Sequence, residues 1–134
     1  MGQSILIPVS AGELFDKQTI LQIKRERIAD EAKRAHVLRE LELLDGIALR
    51  LLMDAPQDAA STVTGLVAEL HAVNSGLWDL ENTVRAAESA GRFDGGFVQA
   101  ARAIYAGNDK RAALKLRINQ LLGSAIVEVK SHTR

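Results

Sequence analysis

Val63-Thr64-Gly65-Leu66-Val67-Ala68-Glu69-Leu70-His71-Ala72-Val73-Asn74-Ser75-Gly76-Leu77-Trp78-Asp79-Leu80-Glu81-Asn82-Thr83-Val84-Arg85-Ala86-Ala87 is the stretch that decides the fold. Val63, Leu70, Leu77 and Val84 recur every seven residues, and Leu66, Val73, Leu80 and Ala87 fill the companion positions. A seven-residue apolar repeat over about three and a half turns of the pattern describes a helix with one continuous seam, packed lengthwise on other helices. The fold is therefore mainly α.

Upstream, Ser10-Ala11-Gly12-Glu13 fits a capping box, with Ser10 as cap and Glu13 reaching back from the third helical position. A helix follows over Ala11–Ile28, and Asp30 caps a second that runs to Met53. The stretch from Asp54 to Ser61 contains Pro and Asp and few large apolar residues, so a loop is expected there. Downstream, Gly91 ends the heptad helix and Asp94 caps a fourth, which carries Phe97, Val98, Ala101, Ile104 and Tyr105 and stops at Gly107. Asn108 or Asp109 caps a fifth, through Leu122 to Gly123. Ile5-Leu6-Ile7-Pro8-Val9 and Ser124-Ala125-Ile126-Val127-Glu128-Val129-Lys130 are short and β-branched and read as strands, Pro8 favouring an edge position. An isolated strand leaves backbone groups unpaired. The expected architecture is one domain over residues 1–134, an antiparallel bundle of about five helices with a two-stranded ribbon joining the chain ends.

Composition bounds the function. The 134 residues are 47% apolar and 25% charged, an ordinary globular balance. Seventeen basic residues balance 17 acidic ones. Nucleic-acid binding, which rests on excess positive charge, is not expected, while self-association meets little repulsion. A homo-oligomer, first of all a dimer, is the expected partner arrangement. Cysteine is absent, which removes disulfides, thiolate metal sites and cysteine nucleophiles. His36, His71 and His132 are scattered, none at helical spacing from another, so no metal and no cofactor is expected. No apolar run reaches membrane-spanning length, and the N-terminal run lacks the basic flank of a signal peptide, so a cytoplasmic location is expected.

Charges recur beside apolar stripes. Leu14, Leu21 and Ile28 line one face of the first helix, with Ile20 to one side; Lys17 and Lys24 project between them, and Glu13 and Arg27 lie near the edge. In the closing helix Leu114, Ile118, Leu121 and Leu122 form the apolar face, flanked by Asn108, Arg111, Lys115 and Asn119. On the heptad helix Asn74 and Glu81 border the seam, with Trp78 and Arg85 close by. If the stripes converge, Lys17, Lys24, Arg27, Arg111 and Lys115 meet Glu13, Glu81 and Asp109. Two readings follow. In the first, these are structural salt bridges whose long stems bury and whose heads reach water or each other. In the second, Glu13, Lys17, Lys24, Arg27, Glu81, Arg111 and Lys115 form a cationic pocket for a carboxylated or phosphorylated small molecule.

Val9-Ser10-Ala11-Gly12-Glu13-Leu14-Phe15-Asp16-Lys17 continuing through Ile28, with Asn108-Asp109-Lys110-Arg111-Ala112 and the ending Gly123 to Ser131, resembles a bacterial family of small uncharacterised proteins. The resemblance covers nearly the whole chain. It implies bacterial origin and a single cytoplasmic domain, sometimes fused to tetratricopeptide repeats and found near glycosyltransferases of surface-polysaccharide pathways. It carries no catalytic residue, but its matching stretches include Glu13, Asp16, Lys17, Lys24, Arg27, Asn108, Asp109 and Arg111. The expected function is an oligomeric binding or scaffold module; the alternative is a small all-helical enzyme or ligand-binding protein built on the cationic pocket.

Overall fold

The computed structural model describes residues 2–127 and 129–131. Four helices follow one another: α1 (Ala11–Arg27), α2 (Glu31–Asp54), α3 (Gln57–Ser89) and α4 (Gly95–Leu122). Side-chain caps set most of the starts. Ser10 Oγ accepts from the Glu13 N–H, Asp30 from Lys33 N–H and Asp94 from Phe97 N–H, each satisfying a donor that the first helical turn leaves open. Gly91 and Gly123 take left-handed φ of 66° and 62° just past the ends of α3 and α4, a conformation a Cβ would strain.

Cross-helix pairs give the directions. Arg25 and Gln18 of α1 meet Arg34 and Asp45 of α2, so the two run antiparallel. Gly12 and Asp16 meet Asn119 and Arg111 of α4, also antiparallel. Asp16 and Arg27 meet Asn74 and Asp79 of α3, so α1 and α3 run in the same direction. Helix α1 packs on all three others, and α3 packs most extensively on α4; α2 lies against α1, touches α3 slightly and does not reach α4. The main core joins Leu14, Phe15, Ala48, Val63, Leu66, Leu70 and Ile118, while Leu21, Val37 and Leu41 form a smaller one between α1 and α2. Val63, Leu66, Leu70 and Ala87 of the heptad seam are buried.

Three expectations change. The loop over 54–61 shrinks to Ala55 and Pro56, because Pro and Asp are also residues of a helix start and Ala59-Ala60 favour helix. The fourth and fifth helices are one, α4, continuous through Gly107. That glycine is a contact point: a Cβ on it would lie 2.7 Å from Leu77 Cδ2 on α3, well inside contact distance. Finally, the described residues contain no strand, so the two-stranded ribbon is absent among them. Ile5, Leu6 and Ile7 stand exposed. Ser124 hydroxyl accepts from Ala11 N–H at 3.3 Å and donates to the Ile126 carbonyl at 2.7 Å, closing a local turn where an extended ladder was expected. Position 128 of that expected strand, and His132, lie outside the described residues.

Candidate functional site

The charged side chains converge where α1 is clasped between α3 and α4, and the residue at the centre is Asp16. Its side chain is 1% exposed. Gly12, Asp16, Thr19 and Ile23 fall on one face of α1 at helical spacing, and all four are buried. Gly12 is required there: a Cβ would collide with the Lys115 carbonyl of α4. The close approach lets Gly12 N–H donate to Asn119 Oδ1 at 2.6 Å and brings α4 side chains over Asp16.

Arg111 donates to the Asp16 carboxylate through two nitrogens, Nε to Oδ1 at 2.8 Å and Nη2 to Oδ2 at 2.5 Å. This fork-to-carboxylate geometry adds a second charge-assisted hydrogen bond and fixes the orientation of the pair. Asn74 of α3 donates Nδ2 to Oδ1 at 3.0 Å and to Thr19 Oγ1 at 2.9 Å, while the Thr19 hydroxyl donates to the Asp16 main-chain carbonyl at 2.7 Å. Lys115, buried, donates Nζ to Glu13 Oε2 at 2.8 Å and stands 3.9 Å from Asp16 Oδ2. Among the described residues no buried side-chain nitrogen or oxygen lacks a hydrogen-bond partner.

Burial by itself raises the Asp16 pKa. Hydrogen bonds from Arg111 and Asn74, and the charges of Arg111 and Lys115, more than offset it and hold the carboxyl below its ordinary 3.8. Asp16 is therefore an anion across the neutral range, unsuited to giving or taking a proton there. The cluster can hold three helices in register; its donors already have acceptors within the chain.

Of the residues singled out from sequence, Glu13, Arg111 and Lys115 meet here. Lys17 pairs with Glu40 of α2 at 2.7 Å, on the surface. Arg27 pairs with Asp79 of α3 at 2.5 Å, also at the surface. Glu81 is exposed and pairs along its own helix with Arg85 at 3.6 Å. Lys24 is half-buried, with no ion pair among the described residues. Asp109 pairs with Lys130. Asp16 lies in a stretch that carries the family resemblance, but its place at the site is not legible from the apolar stripe. Of the apolar stripe, Leu21 and Ile28 pack on α2 and Leu14 enters the main core, whereas Asp16 lies on the second buried face of α1. The signal was one acid amid Gly12, Thr19 and Ile23 at helical spacing.

A second feature lies on the other side of α1. Phe15, Ala48, Leu49, Leu52 and Val67 line an open groove of about 360 Å³ between α1, α2 and α3, with the Gln18–Asp45 hydrogen bond of 2.8 Å in its wall. It is chiefly apolar, and no Lys or Arg lines it. Among the described residues no three His, Asp or Glu are grouped as metal ligands would be, and no helix is long and apolar enough to cross a membrane.

The family described as "Family of unknown function (DUF6165)" has a model that matches residues 5–134. No curated protein and no solved structure matches the chain.

Proposed function

The chain belongs to the DUF6165 family, and from that premise we propose that it is a helical binding or scaffold module that works as a homo-oligomer, with the buried polar cluster serving as its internal clamp. The observation that carries this reading is the closure of Asp16. Its carboxylate takes a bidentate guanidinium and an amide, and the neighbouring ammonium is engaged by Glu13. An anionic ligand would have to displace the buried Asp16 carboxylate from Arg111 and the partly exposed Glu13 from Lys115, giving up charge-assisted hydrogen bonds already made. The surfaces left for partners are the apolar groove beside α2, the outer side of α2 where apolar and charged residues mix, and the exposed strip around Ile5–Ile7.

The cationic-pocket reading remains the alternative, favoured by the convergence of Arg111 and Lys115. Thermal-shift titration with inorganic phosphate and with di- and tricarboxylates separates the two. A specific site occupied at 100 times its dissociation constant adds about 2.7 kcal/mol to stability. The module reading expects no shift beyond that of matched ionic strength; a saturable shift abolished by Arg111→Met would reverse the assignment. Size-exclusion chromatography with light scattering tests the oligomer, and a strictly monomeric mass at high micromolar concentration would contradict it. The surface-polysaccharide setting implied by the resemblance belongs to the same proposal: the module's partner would be a cytoplasmic enzyme of glycan assembly, tested by whether such an enzyme retains the chain in a pull-down.

A further inference from the structure

Helix α2 has two unlike faces. Val37, Leu41 and Ala48 are buried against the rest of the molecule. At about 100° per residue, the opposite arc centres on Gly46 and holds Arg39, Glu42, Leu43, Leu49, Arg50 and Met53 within about 60° to either side. Leu43, Leu49 and Met53 are 65%, 59% and 73% exposed. A Cβ on Gly46 would meet nothing within 4 Å, so this glycine answers to no contact inside the chain. Glycine in a helix interior costs stability relative to alanine. Glu42 and Arg50 have no ion-pair partner among the described residues.

We propose that the outer face of α2 is a twofold homodimer interface, in which two α2 helices cross antiparallel with Gly46 against Gly46. This rests on the homo-oligomer reading above and names its surface. Antiparallel pairing about Gly46 sets Leu43 opposite Leu49 and Glu42 opposite Arg50, each twice, as an isologous contact requires. The paired glycines let the helix axes approach. Direction follows from charge. On this face antiparallel copies set Glu42 beside Arg50 twice, whereas parallel copies would set Glu42 beside Glu42 and Arg50 beside Arg50.

The test is light scattering and sedimentation equilibrium on the intact chain and four variants, with circular dichroism to confirm helix content. Gly46→Gln puts a side chain into space that is open in one chain and occupied in the pair. It should leave the thermal midpoint of the monomer equal or higher, because it removes a helix-interior glycine, while weakening dimerisation at least about tenfold. Glu42→Arg and Arg50→Glu should each weaken it by placing like charges opposite, and the double exchange should restore it. A dimer that none of these changes alters overturns the α2 interface and leaves the oligomer reading standing. A monomeric native chain overturns both.

Discussion

Two regions on either side of α1 handle charge in opposite ways. Toward α4, Asp16 is 1% exposed and takes a two-pronged hydrogen bond from Arg111. Toward α2, Lys17 is one residue further along the same helix, yet its ion pair with Glu40 is 53% and 45% exposed. Both pairs are short, at 2.5 and 2.7 Å. Length alone does not rank them. The enclosed pair cannot be released to water without leaving a desolvated partner, whereas the exposed pair exchanges protein for solvent at little net cost.

The largest expected effect belongs to Asp16→Ala. It takes the bidentate acceptor from Arg111 and one of two acceptors from Asn74, and should cost about 3–5 kcal/mol in chemical denaturation, tempered toward the low end because Arg111 is 31% exposed. A loss under about 1 kcal/mol would mean that water replaces the carboxylate freely. Asn74→Ala removes the donor that ties α3 to both Asp16 and Thr19. It should cost about 1–3 kcal/mol and leave helix content unchanged by circular dichroism. Acid provides a third comparison. A carboxyl held below 3.8 in the fold stabilises it above that value, and the contribution drains away as pH falls through the lower folded value. Stability should therefore drop below about pH 4, and Asp16→Asn should flatten that part of the profile. An unchanged profile would assign the acid loss to other carboxyls. Smallest of all is Lys17→Met, expected within about 0.5 kcal/mol of the parent protein.

The sequence makes the helices legible where local chemistry is decisive. Ser10, Asp30 and Asp94 cap as read, and the heptad from Val63 to Ala87 runs along α3. Where the structure departs from the sequence pattern, a residue type has two physical uses. Gly107 reads as a stop in one dimension and is a contact with Leu77 in three. Pro56 and Asp58 suit a loop and equally a helix start. The β-branched chain ends would need a ladder partner, and Ser124 turns the C-terminal one away at its first residues. At the site, Glu13, Arg111 and Lys115 were legible as inward charges. Asp16 is not legible there, because a helix touching three others has more than one buried face and a single apolar stripe does not locate them all.

Paired double-mutant cycles on the two flanks of α1 test the central claim most directly. One cycle takes Asp16→Asn with Arg111→Met, and the other Lys17→Met with Glu40→Gln, all by urea denaturation. A closed internal clamp predicts a coupling of about 2–3 kcal/mol for the first and no more than about 0.5 for the second. Equal couplings on the two flanks would contradict it, since the enclosed carboxylate would then behave as an ordinary surface charge.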